Sequence, residues 1–333
     1  MTDDVILTGI KPTGEPHLGN YLGAIQPAMA MASDHPNNKK LFFIADYHAL
    51  TTMKDPENMR AYRQCVAATW LAFFEGVDHA YFYFQSQIPQ IFELYWILSC
   101  FCPKGLLNRA HAYKAVVAQN VDQGHDPDRQ VNHGVFSYPV LMAADILLFQ
   151  ATQIPIGPDQ KQHVEIAIEI VTHLNRYLTH PIPIPAPLIN HVSEVIIGID
   201  GQKMSKNYNN TLPVFASSSE LKKRIAKIKT TSTPLGTPLD WVNCHVFKLF
   251  SYISDTAEQD DLKSQYASGN MGYGHAKAHL GQAYEAYFKS AQSVFNHLMS
   301  HPSLIQDRLS ADAKKVSSMA EKNLMGIKQA LGF

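Results

Sequence analysis

The stretch Gly9-Ile10-Lys11-Pro12-Thr13-Gly14-Glu15-Pro16-His17-Leu18-Gly19-Asn20 lies between a short apolar run and a longer helix-like one. Its residue types suit a phosphate. Gly19 allows close backbone approach, His17 and Asn20 carry side-chain donors, and a helix N-terminus beyond a strand end offers unpaired N–H groups to anions. The same residues also fit an ordinary strand–helix turn with a capping Asn. A second polar loop, Gly198-Ile199-Asp200-Gly201-Gln202-Lys203-Met204-Ser205-Lys206-Asn207, follows the apolar run Val195-Ile196-Ile197. Two lysines three apart on a Gly-flanked loop can follow the charge that develops on a leaving pyrophosphate, a stabilisation made late in a reaction. A solvated surface loop is the alternative.

Asp145 sits among Met142, Ala143, Ile146 and Leu147, where a carboxylate is costly to bury without donors. An indole N–H is a fitting donor; backbone or an internal Arg would also serve. His48 taken alone reads as a satisfied core histidine. Gly157-Pro158-Asp159-Gln160 follows a strand and opens a helix, so Asp159 can be an N-cap and Gln160 a surface residue. Lys222, Lys223, Arg224, Lys227 and Lys229 gather on one helical stretch, a candidate contact for an RNA backbone or a solvated amphipathic face. Metal chemistry is weakly supported, because the His275/His279 and His297/His301 pairs lack the H-E-x-x-H pattern and a third ligand. The loop from Gly269 to Gly274 runs G-x-x-G-x-G between helices and so is not the dinucleotide fingerprint. Neither a Walker loop nor a G-x-S-x-G elbow is present.

These residues need a scaffold. Residues 5–10, 41–45, 80–84 and 153–156 read as short buried strands, and helical stretches at 58–75, 89–101, 139–150 and 159–177 alternate with them. Alternation of this kind predicts an α/β fold with a Rossmann-like, doubly wound parallel sheet. The four prolines of residues 181–187 predict a connector. From Ser217 apolar residues recur at three and four spacing through 221–228, 242–253, 276–299 and 311–331, which predicts a second, all-helical domain. At 333 residues two domains are expected, and 28 Lys+Arg against 29 Asp+Glu exclude a uniformly basic nucleic-acid coat, DNA included. Four cysteines without C-x-x-C spacing, an acidic start at Thr2-Asp3-Asp4, and no apolar run near the roughly 18 residues of a membrane span point to a cytoplasmic chain.

The two polar loops together, in this order, resemble the paired motifs of the class I aminoacyl-tRNA synthetases. Pro16-His17-Leu18-Gly19-Asn20 is similar to their His-Ile-Gly-His motif, and Lys203-Met204-Ser205-Lys206-Asn207 to their Lys-Met-Ser-Lys-Ser motif, each departing at its last position. The segments 45–51, 138–147, 155–163 and 272–277 extend the resemblance over essentially the whole chain, to the bacterial type of tryptophanyl-tRNA synthetase. What the resemblance implies is ATP-dependent charging of tRNA(Trp) with L-tryptophan, with Mg2+ carried by the nucleotide, no structural metal, and a symmetric homodimer. It implies that His17 and Asn20 act at the α-phosphate and Lys203 and Lys206 at the pyrophosphate. Lys11, Pro12, Thr13, Gly19, Gly157, Pro158, Asp159, Val195, Met204, Ser205 and Asn207 would complete the ATP site, Asp159 by accepting from ribose hydroxyls. For tryptophan it implies Asp145 on the indole N–H, Met142, Ile154 and Ile156 around the ring, and His48 and Gln160 on the amino acid, Gln160 at its amino group. Lys222, Lys223, Arg224 and Lys227 would meet tRNA. The implied domains are catalytic (1–216), anticodon-binding (217–310) and a final helix (311–333) packing back on the first. The aromatic-rich helix from Phe92 to Phe101 could serve the dimer as well as a core could. A tyrosyl-tRNA synthetase and a small-molecule adenylyltransferase are the competing readings.

Overall fold

The computed structural model describes residues 4–157, 160–189, 196–234 and 236–333. Five strands form one parallel sheet: β1 (Val5–Ile10), β2 (Lys39–Ile44), β3 (Ala80–Phe84), β4 (Gln153–Ile156) and β5 (Ala186–Ile189). They lie in the order β3-β2-β1-β4-β5. Strands such as β2, buried from Lys40 to Ile44, are apolar on both faces, as a parallel sheet covered on both sides requires. The strand order reverses between β1 and β4, and the crevice beyond their C-terminal ends is where such folds bind ligands. The four expected strands are present. β5 is an addition: Pro187 belongs to it, inside the stretch expected to be a connector, because an edge strand tolerates a missing N–H.

Contacts divide the chain into two units, one of Met1–Thr13, Gln26–Asn190 and His301–Phe333, the other of Gly14–Ile25 and His191–Ser300. This differs from boundaries at 216 and 310, for two local reasons. Residues 14–25 are stitched to the stretch after the lysine loop, with Leu18 N–H donating to the Leu212 carbonyl at 2.8 Å and Val214 N–H to Pro16 at 3.0 Å. The last helix opens at Pro302, a first-turn proline behind His301, and not at Ala311.

In the first unit, helices α2 (Gln26–Asp34), α3 (Asp46–Ala49), α4 (Pro56–Phe73), α5 (Gln90–Phe101), α6 (Lys104–Asn108), α7 (His111–Asp122), α8 (His133–Leu148), α9 (Lys161–Leu174) and α14 (Pro302–Ala330) accompany the sheet. A three-residue turn of helix, α1 (Leu18–Asn20), and a π turn (Tyr21–Ile25) precede them in the chain. α8 opens six residues before the expected Pro139, because the Asn132 side chain caps it by accepting the Val135 N–H at 3.0 Å. α8 is apolar almost all round and packs between α5 and α9, with Val140, Ala143 and Leu147 buried beside Leu94, Leu98 and Ile170. α14 lies along β3, the other sheet edge. There Asp312, 4% exposed, accepts the Phe82 N–H at 3.1 Å, while Arg308 donates to the Ala80 carbonyl at 3.1 Å and to Asp312 at 2.7 Å. Side chains thus supply the hydrogen bonds that a sixth strand would have made.

The second unit carries α10 (Ser218–Ala226), α11 (His245–Ser251), α12 (Thr256–Ala267) and α13 (Tyr273–Ser300). α12, not expected from sequence, is polar apart from buried Leu262 and Tyr266 and is set by a reciprocal Asp255–Glu258 capping box. Tyr284 and Phe288 of α13 are buried with Tyr21, whose ring meets Phe288 edge-on at 4.9 Å. Among the described residues no helix is long and apolar enough to cross a membrane.

Candidate active site

In the first unit three elements bring titratable and amide groups to one buried point. Asp145, 1% exposed, projects from α8, His48 from α3 and Gln85 from the end of β3. His48 Nε2 lies 2.9 Å from Asp145 Oδ2, and Gln85 Nε2 donates to both carboxylate oxygens at 2.9 Å. Gln85 Oε1 in turn accepts the His48 backbone N–H at 3.3 Å. Burial pushes the Asp145 carboxyl above the usual range, against the pull of His48 and Gln85. A carboxylate offers about four acceptor positions, and these bonds use three, so one remains for an N–H donor from a ligand.

Tyr138, Met142 and Asp145 are spaced i, i+4, i+7 on α8 and therefore share one face. Tyr138 stands edge-on to His48 at 6.2 Å, and its hydroxyl meets His163 Nε2 at 2.5 Å. His163 Nδ1 and Gln160 Oε1 are 3.0 Å apart, so a second hydrogen-bonded chain runs from Tyr138 to Gln160 and meets the Asp145 group through the ring contact of Tyr138 with His48. Ile154 and Ile156 of β4 are buried in the core against which Met142 packs. The tryptophan residues expected from sequence are therefore gathered in one unit. Gln85, Tyr138 and His163 were not singled out in advance; the strand-end rule that drew attention to other residues also points to Gln85, one residue past β3. Asp46 and Arg63 brace the same corner: Asp46 accepts from Ser86 N–H at 3.0 Å and pairs with Arg63 Nε at 3.0 Å.

The residues expected at the α-phosphate and pyrophosphate, His17, Asn20, Lys203 and Lys206, lie in the second unit. The expected row of unpaired N–H groups is not there: Gly19 N–H points at Met204 Sδ at 3.3 Å, and Asn20 N–H donates to the His17 carbonyl at 2.8 Å, as Leu18 does to Leu212. These bonds occupy the N–H groups of Leu18, Gly19 and Asn20, which leaves side chains as the groups able to meet an anion. Asn20 Oδ1 accepts the His17 N–H at 3.1 Å, which fixes the amide with its two donors free of that bond. His17 is 9% exposed, and its Nδ1 is buried without a partner among the described residues. Burial, with Lys206 nearby, lowers its pKa to about 4, so the imidazole is neutral at physiological pH and acts as a hydrogen-bonding group and not as a cation. Gly14, at φ +138°, leaves room for the Lys206 stem, whose Cδ is 3.0 Å from where a Cβ would stand. Met204 is buried while Lys203 is exposed, so the loop anchors its methionine and presents its first lysine.

Lys11, Pro12 and Thr13 follow β1 in the first unit, Thr13 N–H donating to the Lys11 carbonyl at 2.9 Å. Gly157 accepts the Gln160 N–H at 3.0 Å. Ser205 and Lys206 continue the loop, and Asn207 falls in the short 3-10 turn Lys206–Tyr208. Pro158, Asp159 and Val195 lie outside the described residues. Lys222 and Lys223 of α10 and Lys227 at its C-cap are exposed. Arg224, half-buried, pairs with Glu220, Nη2 to Oε1 2.9 Å, and donates to the Thr211 carbonyl at 3.1 Å.

The family described as tRNA synthetases class I (W and Y) matches residues 3–289. The chain belongs to this family. Among class I synthetases of known name, the tryptophan–tRNA ligase of Pseudomonas aeruginosa is 44% identical over 331 residues, 98% of this chain and 73% of that protein. That of Campylobacter jejuni is 40% identical over 98% of this chain and 99% of its own length. The crystal structure of the Campylobacter jejuni tryptophanyl-tRNA synthetase complexed with ADP and tryptophan superposes with a TM-score of 0.88 over 99% of this chain and 100% of that one, at 40% identity. The tyrosyl-tRNA synthetase of Archaeoglobus fulgidus, at 17% identity and a TM-score of 0.63, shares the class I fold alone.

Proposed function

We propose that the chain activates L-tryptophan with ATP and transfers it to tRNA(Trp). The observation that carries this reading is Asp145, a buried carboxylate oriented by His48 and Gln85 with one acceptor position beyond their bonds; in this reading Met142, Ile154 and Ile156 line the ring pocket beside it. Such a site rewards an aromatic ring with one N–H, and a phenol, which also needs its oxygen paired, fits it less well. Gln160, oriented by His163, serves the amino group.

The tryptophan carboxylate attacks the α-phosphorus of MgATP in line, forming tryptophanyl-adenylate as the bond to pyrophosphate breaks. A hydroxyl of the terminal tRNA ribose then attacks the acyl carbon and releases AMP. In such chemistry the protein positions groups and stabilises charge. His17 and Asn20 supply neutral donors at the α-phosphate; Lys203 and Lys206 meet the charge gathering on pyrophosphate. Lys11, Pro12, Thr13, Gly19, Gly157, Pro158, Asp159, Val195, Met204, Ser205 and Asn207 complete the nucleotide site, and Mg2+ arrives with ATP. Lys222, Lys223 and Arg224 of α10, with Lys227 at its C-cap, contact the tRNA backbone. The reading carries with it a homodimer through the α5 face that bears Trp96, 69% exposed, and a cytoplasmic location in keeping with four free cysteines.

Pyrophosphate exchange measured with each of the twenty amino acids tests the reading. Exchange dependent on tryptophan alone is expected; dependence on tyrosine, or exchange with none, overturns it.

A further inference from the structure

Asn210 is 1% exposed and lies four residues beyond Lys206. Its Oδ1 accepts the Ser205 N–H at 2.7 Å. Its Nδ2 donates to the Lys203 carbonyl at 3.0 Å and to Asp200 Oδ1 at 2.8 Å, and its own carbonyl accepts the Ile199 N–H at 2.9 Å. These bonds reach the loop before its first lysine, at that lysine, and two residues past it. Asp200 Oδ1 also accepts the Gln202 N–H at 3.0 Å, so the carboxylate ties the amide to the turn that leads into Lys203. The amide is confined as well as bonded, since a Cβ on Gly198 would stand 2.4 Å from Asn210 Cγ.

Few side chains could replace it. An aspartate keeps the acceptor for Ser205 but has no donor for Lys203 or Asp200, and a glutamine is one methylene too long for a space already closed by Gly198. Among the described residues, the Asn210 side chain bonds to Asp200 and to the backbone of Lys203 and Ser205. The side chain therefore fixes the shape of this loop more than it supports the helices around it.

We propose that Asn210, with Asp200 as its partner, is the positioning residue for the Lys203–Lys206 loop: it sets where the two ammonium groups stand when the pyrophosphate leaves, without touching the nucleotide. This rests on the reading of that loop as the ATP-phosphate loop. Because the lysines act most strongly in the transition state, a misplaced loop costs rate more than it costs nucleotide affinity.

The test compares N210D, N210A and D200A with the wild-type protein in tryptophan activation, followed by pyrophosphate exchange, with K206A as the control for the loop itself. N210D sets a second carboxylate against Asp200, and a displacement of about 1 Å in a catalytic group can cost about 100-fold in rate. A fall of about 100-fold in kcat is expected for N210D and about 10-fold for D200A, with KM for ATP changed about threefold or less. Tryptophan affinity, read by equilibrium dialysis, should stay within about twofold, and the double variant D200N/N210D, which restores an amide–carboxylate pair, should recover part of the rate. Wild-type kcat in N210D and N210A while K206A is impaired overturns the positioning role alone. Wild-type kcat in K206A overturns the loop reading beneath it. Equal losses of kcat, tryptophan affinity and thermal midpoint in all three Asn210 and Asp200 variants assign Asn210 to the fold and also overturn the proposal.

Discussion

His17 shows how burial changes what a residue type can do. Its pKa of about 4 lies below the ordinary value near 6.5, so between those values the unfolded chain binds a proton that the folded one refuses. Its contribution to stability is therefore complete above about pH 6.5 and declines as pH falls towards 4. Urea midpoints of wild type and His17→Asn across this window should converge or cross as the pH is lowered; parallel curves would mean that the imidazole is not held neutral. Adenylate formation should likewise show no ionisation of His17 between pH 5.5 and 8, as a rate–pH profile would reveal. Asp145 invites a different test. The benzothiophene analogue of tryptophan leaves its last acceptor unpaired, and a charged hydrogen bond of this kind is worth about 1.5–3 kcal/mol, so wild type should disfavour the analogue by roughly 10- to 150-fold. Asp145→Ala should lose most of that discrimination, and an unchanged preference ratio in pyrophosphate exchange would remove Asp145 from indole recognition. Asp145 was legible in the sequence because a carboxylate among apolar residues stands out, and His17 and the two lysines because they sit in Gly-flanked polar loops that follow apolar runs. Gln85 and Asn210 were not, since an amide is a common surface residue until burial leaves it with one set of partners.

At the scale of elements, periodicity identified β1 to β4 and the helices with apolar stripes, and it failed where tertiary context decided the outcome. β5 contains a proline and survives only as an edge; α12 has two buried residues in its twelve and depends on its cap. α10 was legible as a basic helix, yet the bond from Arg224 to the Thr211 carbonyl was not, because that carbonyl is thirteen residues away. The lysines carry a prediction. Lys222→Ala, Lys223→Ala and Lys227→Ala combined should leave tryptophan activation within about twofold of wild type while weakening tRNA binding, and the slope of log affinity against log salt should flatten by about two to three. Filter-binding titrations at several salt concentrations measure both; an unchanged slope returns the helix to a solvated face.

For the whole molecule, the sequence indicated two domains but not their composition, because residues 14–25 belong with a stretch nearly two hundred residues later and only hydrogen bonds between distant strands of chain reveal it. Quaternary structure is open to a direct measurement. Trp96 leaves 69% of its surface exposed on α5, a large apolar area for a residue that usually finds a partner. Trp96→Lys should shift sedimentation at micromolar concentration from dimer to monomer, and a monomeric wild type would discard the dimer. The pairing of Asp312 with the Phe82 amide joins residues 230 positions apart. At a synthesis rate of about 5–20 residues per second, β3 leaves the ribosome roughly 10 to 50 s before the helix that seals it. For that interval the nascent sheet has an open side able to pair with any extended segment nearby, so the last helix determines how long a growing chain must be kept from its neighbours.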